Sequence, residues 1–457
     1  AGAGNDVITF SAAAAGANIN AGEGNDQIVG ATFMASTQTI DGGAGANTLT
    51  VDANSGVTAT TTLGTVTNVQ TMTVEYTVAD ADVVALAGVT GLTTLNLTAT
   101  GNNSIATITG LNSGATVVVA DVELDTNNID TAAGATLTLD QKIVGAGTTT
   151  ITDAASVTIN NTGAAAGATN ALALDNVDTT SLTVAASNGA GATLATGNIS
   201  GTDQLASLAV SSVVTGSTAS LGSVADADSL TTVTVNAAGG NVAIGQIGTN
   251  GGAGNAELLA TVNLTASDSA NITMTGIEAD DLTNSATDLA MTVTAASGLG
   301  STVALGTIDN TFGTITAALS GSGTVNSTAL TADDVTVNVS AGGTHSLVTA
   351  TDDITITATN TNAVVFTSLD SGATATGAIT ATVSGSGTFN INGVVASAGT
   401  LTVNGASASG VVTVVGTNMT GAATLTGGTG HDVLTGGAGS DVLTGGAGND
   451  TLTANAG

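Results

Sequence analysis

The sequence predicts an all-β protein whose fold class is a segmented parallel β-solenoid. Three observations support this prediction. Apolar residues alternate with Thr or Asn through most of residues 91–420, which is typical of strands with one buried face. Glycine-rich turns recur at a nearly constant spacing close to both ends of the chain. Only 1% of the residues are aromatic although 42% are hydrophobic, and small apolar side chains suit a narrow, stacked core.

Residues 1–50 form the first predicted segment, in which a nine-residue unit with a glycine turn occurs three times. The residue that follows the turn glycines is Asp6 in the first unit, Asp26 in the second and Asn47 in the third. Glycine permits positive φ, and backbone carbonyls together with an Asp carboxylate are hard oxygen ligands that suit Ca²⁺. We therefore predict calcium ligands at these three positions, with a weaker site at Asn47 because an amide carries no charge.

Residues 51–90 form a predicted connecting segment without such glycine turns. Residues 63–74 predict a turn followed by an alternating strand. Residues 78–86 predict one short helical turn or a loop. Asp80 and Asp82 in this stretch are further candidate calcium ligands.

Residues 91–420 predict strand after strand, interrupted by clusters of Gly, Asn, Ser or Asp. Two architectures fit this pattern. One is a parallel solenoid whose coils stack on each other with Thr on the outer face. The other is a string of small β-sandwiches. The small-residue core and the repeated turns at both ends favour the solenoid, and the irregular spacing predicts several solenoid segments.

Acidic pairs precede several strands of this region. Adjacent carboxylates repel each other, and a bound divalent cation relieves that repulsion. Asp is also a common turn residue, so a solvated turn is the alternative interpretation. Asp334 and Asp353 are 19 residues apart, about one coil, and are expected to stack. The candidate ligands in this group are Asp226, Asp228, Asp280, Asp281, Asp333, Asp334, Asp352 and Asp353.

The C-terminal segment, residues 421–457, contains three tandem copies of the unit Gly-Gly-x-Gly-x-Asp-x-Leu-Thr. This period predicts a calcium-loaded parallel β-roll that binds several Ca²⁺ ions. The candidate ligands are Asp432, Asp441 and Asp450, with the turn glycines Gly427, Gly430, Gly436, Gly439, Gly445 and Gly448. Two units make an 18-residue coil, so the turn at 427–432 should lie over the turn at 445–450. Residues 454–457 resemble the start of a fourth unit, which predicts that the chain is a piece of a longer protein and that the turn at 436–441 stacks on a later one.

The composition excludes several classes of function. One basic residue stands against 34 acidic residues, which gives a net charge of −33 and excludes nucleic acid as a partner. The chain has no cysteine, no stretch long and apolar enough for a membrane helix, and no N-terminal signal with a basic region. Two histidines and the lack of a catalytic motif predict that the chain is not an enzyme. His431 is expected to face solvent, and His345 to lie alone in a loop.

The end motifs resemble the RTX family of secreted bacterial proteins. This resemblance implies export by a type I system and folding triggered by extracellular calcium. The Thr-rich, acidic and Cys-free composition resembles the calcium-dependent surface-layer proteins of Gram-negative bacteria. That family implies a structural subunit that assembles with copies of itself into a two-dimensional lattice on the cell surface. It also implies attachment to lipopolysaccharide through a separate part of the protein. The alternative is an RTX adhesin or extracellular matrix fibre.

Overall fold

The structure is a computed structural model with two units, Ala1–Gly222 and Ser223–Gly457. The residues that it describes are 1–10, 18–30, 37–52, 60–76, 81–99, 104–119, 124–141, 148–161, 170–174, 179–186, 193–225, 227–248, 256, 258–279, 290–372, 377–395 and 398–455.

Nineteen strands make up the described part of the first unit. They are β1 Val7–Phe10, β2 Asn18–Asn20, β3 Gln27–Gly30, β4 Thr39–Asp41, β5 Thr48–Asp52, β6 Thr60–Thr62, β7 Thr65–Thr67, β8 Thr71–Tyr76, β9 Ala81–Ala85, β10 Thr94–Ala99, β11 Ser104–Leu111, β12 Thr116–Val119, β13 Leu124–Gln141, β14 Thr148–Asn161, β15 Asn170–Leu174, β16 Ser181–Ala186, β17 Thr193–Ser200, β18 Ser207–Ser212 and β19 Thr218–Leu221.

Eighteen strands make up the described part of the second unit. They are β20 Thr232–Ala238, β21 Asn241–Ile247, β22 Thr261–Ser267, β23 Asn271–Glu278, β24 Ala290–Ser297, β25 Thr302–Gly321, β26 Thr324–Val339, β27 Gly343–Ala350, β28 Ile354–Thr359, β29 Val364–Asp370, β30 Ile379–Gly385, β31 Phe389–Ile391, β32 Leu401–Ala408, β33 Val412–Val415, β34 Ala423–Thr426, β35 Val433–Thr435, β36 Val442–Thr444 and β37 Thr451–Thr453.

Both units are parallel β-solenoids, which confirms the predicted fold class. In the second unit β20 pairs with β22 and β21 pairs with β23, because a typical coil contributes two strands and each strand meets its counterpart one coil later. All of these pairs are parallel, so the alternative of small antiparallel sandwiches does not apply. The described residues include no helix long and apolar enough to cross a lipid bilayer.

The core is a narrow space filled by columns of small apolar side chains. Val233 pairs with Val262, which in turn pairs with Val293, and all three are fully buried. Such stacking places like residues on like residues in successive coils, so each coil covers the apolar face of the one before. This arrangement needs few aromatic rings, in agreement with the composition.

Threonine forms a matching column on the outer face of the second unit, as the solenoid interpretation predicts. Each of these threonines pairs with the next one along the column, and each is half-buried or exposed. The column consists of Thr232, Thr261, Thr292, Thr316, Thr336, Thr355, Thr380, Thr402 and Thr424. Its uncharged hydroxyls line the outward side of the sheet.

Some coils turn a corner without ending the strand. The first part of β25 pairs with β23 and its second part with β24, so this single strand of 20 residues serves two faces of the solenoid. Gly306 lies in the part of β25 that pairs with β23, and a Cβ at this position would come within 1.7 Å of the Thr275 carbonyl oxygen. Only glycine allows the two backbones to approach so closely.

The connecting segment differs from its prediction. Residues 81–85 form strand β9, which pairs with β11, so the expected helical turn or loop is wrong there. Pairing with neighbouring coils overrides the weak local preference of a short stretch. The predicted strand within 63–74 is divided into β7 and β8, which lie in different sheets and are separated at Asn68, where φ is 57°.

His345 also differs from its prediction, because it lies in β27 and is fully buried. Its Nδ1 lies 2.9 Å from the Ser327 hydroxyl oxygen, and its ring centroid lies 5.1 Å from that of Phe366. Nε2 is buried without a hydrogen-bond partner. Burial lowers the pKa of His345 to about 4, so the ring is neutral in the folded chain at physiological pH.

This buried histidine makes stability depend on pH. Between the ordinary pKa of 6.5 and the folded pKa of about 4, the unfolded chain binds more protons than the folded chain. The free energy of unfolding should therefore fall as the pH falls through this window. The loss due to His345 should be about 2 kcal/mol at pH 5.

Urea unfolding of the wild type and of His345→Gln at pH 7.5 and pH 5, both at saturating calcium, would measure this loss. The variant should lack the histidine contribution and retain only the pH dependence of the carboxylates. An identical pH dependence in both proteins would contradict the assignment.

Candidate metal centre

The turn at 427–432 holds the most deeply buried carboxylate of the C-terminal repeats. Asp432 is 0% exposed. Its Oδ1 accepts a hydrogen bond of 2.8 Å from the Val412 N–H, and its Oδ2 accepts one of 2.6 Å from the Gly428 N–H. One oxygen therefore ties the turn to the preceding coil, while the other closes the turn itself.

The next repeat reproduces both hydrogen bonds, and the last repeat reproduces the one between coils. Asp441 accepts hydrogen bonds from the Ala423 N–H and the Gly437 N–H, both at 2.9 Å. Asp450 accepts one from the Asp432 N–H at 3.0 Å, 18 residues earlier. The turn at 445–450 thus lies over the turn at 427–432, which confirms the predicted 18-residue coil.

The pairing of β35 with β37 gives the same 18-residue register. Of the three repeat leucines, Leu434 is fully buried, Leu443 is half-buried and Leu452 is 46% exposed. The turn at 436–441 lies over residues 416–421, because the Ala438 N–H donates to the Met419 carbonyl at 2.8 Å. On its other side, the Gly436 N–H donates to the Thr453 carbonyl at 2.8 Å.

Two kinds of glycine make these turns possible. A Cβ at Gly430, Gly439 or Gly448 would come within 1.9–2.5 Å of a carbonyl oxygen in the preceding coil, so the backbones must stack directly. A Cβ at Gly427, Gly436 or Gly445 would instead lie 2.2–2.4 Å from Oδ2 of the Asp that ends the same turn. The first kind sets the distance between coils, and the second kind leaves room beside the carboxylate.

Oxygen atoms from two coils converge beside Gly427. A Cβ placed there would meet Asp432 Oδ2 at 2.3 Å and the Gly445 carbonyl oxygen at 2.4 Å. Two oxygens that converge on the same small volume, one of them from a buried carboxylate, are poorly stabilised without a cation. Asp432 and the Gly445 carbonyl are thus suited to hold calcium, which when bound supplies the positive charge that links two coils.

The N-terminal residues form a similar column. The Asp6 N–H donates to Asp26 Oδ1 at 2.8 Å, and the Asp26 N–H donates to Asn47 Oδ1 at 2.9 Å. The Asn47 N–H then donates to Gln70 Oε1 at 2.7 Å. Each side chain reaches back to the backbone of the preceding coil, as Asp450 does to Asp432. The structure therefore stacks Asp6, Asp26 and Asn47 in one column.

This column contains two carboxylates, those of Asp6 and Asp26, followed by the neutral amides of Asn47 and Gln70. Asp26 is 1% exposed, and its Oδ2 is buried without a hydrogen-bond partner. Hydrogen bonds from the Asn68 side chain and the Gly43 N–H hold the pKa of nearby Asp41 below its usual value. Asn47 Oδ1 accepts the Asp26 N–H, and Asn47 Nδ2 faces carbonyl groups.

Gln70 was not predicted from the sequence. It lies 23 residues after Asn47 in a segment without glycine turns, so no local motif marks it. The only available signal was its position about one coil after Asn47, and that signal requires the register of the coils.

Two acidic pairs of the middle region stack as expected. The Asp352 N–H donates to the Asp333 carbonyl at 2.9 Å, and the Asp353 N–H donates to Asp334 Oδ1 at 3.0 Å. Asp353 Oδ1 in turn accepts a hydrogen bond of 2.7 Å from the Ala378 N–H. These contacts satisfy backbone donors at the corners of successive coils, and a calcium role for these residues stays a prediction.

The other acidic candidates are more dispersed. Asp228 lies exposed in a turn, and Asp82 belongs to β9. Asp80, Asp226, Asp280 and Asp281 lie outside the described residues. Within the described ranges, no group of three or more His, Cys, Asp or Glu side chains could hold a metal ion. The turns described above use one carboxylate per repeat together with backbone carbonyls.

Comparison with known families agrees with the C-terminal geometry. Residues 419–457 match the RTX calcium-binding nonapeptide repeat in 4 copies, which confirms the predicted resemblance for this segment. RTX nonapeptide repeats bind calcium and are typical of secreted extracellular proteins. No curated protein and no solved structure matches the chain.

Proposed function

We propose that this protein is a structural subunit of a calcium-dependent bacterial surface layer. In this proposal the chain is exported by a type I system and assembles with copies of itself on the surface of a Gram-negative cell. Lipopolysaccharide is the proposed attachment point, through another part of the protein. The observation that carries the proposal is the stack of parallel coils in the second unit, with its RTX turns and outer threonine column, in a chain of net charge −33.

The charge supports a role for calcium in assembly. Copies of a chain with 34 acidic residues and one basic residue repel each other within about 10 Å in ordinary salt. Divalent ions at acidic turns reduce that repulsion and couple ion binding to folding. In the calcium-poor cell interior the chain would stay unfolded and ready for export, and it would fold outside.

Assembly can be tested by electron microscopy of the purified chain in chelator, after calcium is restored, and with magnesium as the control ion. Ordered sheets are expected only with calcium, because magnesium sheds its water reluctantly and demands a stricter geometry. Sheets that form equally well in chelator would contradict the proposal. Release from intact cells on chelation provides the matching test on the native surface.

The second candidate function is an RTX adhesin or extracellular matrix fibre. Stacked coils of parallel strands are equally suited to form a stalk that carries a binding domain. Folded chains that stay dispersed as monomers in calcium would favour this function over the lattice.

We also propose that the chain has no catalytic role. His345 is sealed in the core, and Nδ1 of exposed His431 accepts a hydrogen bond from the Asn449 N–H. The Ser327 hydroxyl that lies 2.9 Å from His345 Nδ1 is buried with it, so a substrate cannot reach this pair.

A further inference from the structure

In the turn at 42–47, as in the turn at 427–432, the first glycine lies beside the side chain that ends the turn, but the atom that this side chain presents to the glycine is different. At Gly427 a Cβ would meet Asp432 Oδ2 at 2.3 Å and a carbonyl oxygen of the next coil, that of Gly445, at 2.4 Å. At Gly42 a Cβ would meet Asn47 Nδ2 at 2.9 Å and a carbonyl oxygen of the next coil, that of Asn68, at 2.2 Å. A nitrogen donor thus stands where the RTX turn has a carboxylate oxygen.

The orientation of the Asn47 amide follows from its partners. Its Oδ1 accepts the Asp26 N–H at 2.9 Å, which leaves Nδ2 facing three carbonyl oxygens. Nδ2 donates to the Asn68 carbonyl at 3.0 Å and makes longer contacts with the Gly45 carbonyl at 3.4 Å and the Gly43 carbonyl at 3.5 Å. Asn47 is fully buried, so these carbonyls are its environment in place of water.

We infer that the side-chain amide of Asn47 takes the place of a calcium ion in this turn. Carbonyl oxygens that converge on one point need a positive partner, and the amide hydrogens supply it without an ion. The neighbouring turn provides the contrast. Asp26 is buried with an unpartnered Oδ2, which is the feature expected where a cation is required.

The N-terminal column therefore combines two kinds of turn. The turn that ends at Asp26 requires a cation, whereas the turn that ends at Asn47 is held by its own side-chain amide. The coil containing Asn47 keeps its contacts to Asp26 and Gln70 when calcium is scarce. This inference concerns calcium binding by single chains and holds whether or not the protein forms a lattice, so the assembly test and the test below can fail independently.

The test is to count calcium ions bound per chain by titration calorimetry in the wild type and in Asn47→Asp. Replacing the amide nitrogen by an oxygen should restore the RTX arrangement and add one ion per chain. Asn25→Asp is the matched control, because it adds the same charge at an exposed position whose Oδ1 accepts the Ala46 N–H. The control should bind the wild-type number of ions.

A second variant tests the inference even if Asn47→Asp does not fold. Asn47→Ala removes the internal donor, so it should lower the thermal unfolding midpoint in chelator and leave the number of bound ions unchanged. One ion fewer in Asn47→Ala would show that Asn47 is an oxygen ligand and would overturn the inference. A folded Asn47→Asp that gains no ion, or an Asn25→Asp that gains one, would overturn it as well.

Discussion

Removal of calcium with a chelator is expected to open the C-terminal coils, residues 423–455, and restoring calcium should close them again. In these coils buried Asp432 lies next to the Gly445 carbonyl, and short strands of three or four residues contribute few ladder hydrogen bonds. An ion present at a hundred times its dissociation constant stabilises the folded state by about 2.7 kcal/mol per site. Several sites would together exceed the stability that such a short stack has by itself.

Amide hydrogen exchange with and without calcium measures this opening for each segment. Strands β25 and β26 serve as the internal control, because they are 20 and 16 residues long and contain no RTX turn. If protection in the C-terminal coils does not change on chelation, calcium does not stabilise them. If β26 also opens, the stacked pairs around Asp334 and Asp353 bind calcium too.

Replacement of Asp432 by Ala is expected to have the largest effect of any single substitution in the repeats. The change removes both acceptors of a fully buried carboxylate and leaves the N–H groups of Val412 and Gly428 without partners. Each buried donor left unsatisfied costs about 1–3 kcal/mol. The variant should also bind at least one calcium ion fewer, because its carboxylate is the charged ligand.

The measurement is the exchange rate of the Val412 and Gly428 amides at saturating calcium, together with the number of bound ions. Ser440→Ala is the control, since Ser440 is exposed in a variable position of the adjacent turn. Asp441→Ala should have a smaller effect because Asp441 is only partly buried. Equal effects of Asp432→Ala and Ser440→Ala would show that the carboxylate does not organise the turn.

Local sequence patterns were sufficient to predict the strands and the positions of the turn carboxylates. Alternation of apolar residues with Thr predicts strands with one buried face, and the fixed nine-residue period predicts where Asp432, Asp441 and Asp450 follow their glycine turns. The same pattern, although looser, identifies Asp6 and Asp26. These predictions succeed because strand alternation and glycine turns depend on neighbours in the sequence.

In the middle of the chain, local patterns do not predict which residues of successive coils are paired. Successive members of the outer threonine column are 19 residues apart at Thr336 and Thr355 but 31 apart at Thr261 and Thr292. The spacing looks irregular in the sequence because loops of different length separate the strands. Backbone pairing between coils nevertheless aligns every threonine with the next, since a slip of one residue would turn the apolar face outward.

The fold class, the repeated glycine turns and the acidic residues suited to calcium can be predicted from the sequence, because they follow from short-range periodicity and residue chemistry. The packing of the coils was needed to show that His345 is buried and that residues 81–85 form a strand. It was also needed to show that Gln70 extends the N-terminal column and that the Asn47 side-chain nitrogen faces carbonyl groups. Those features depend on which residues of different coils lie side by side, and that register is set by hydrogen bonds between segments about 18 to 31 residues apart.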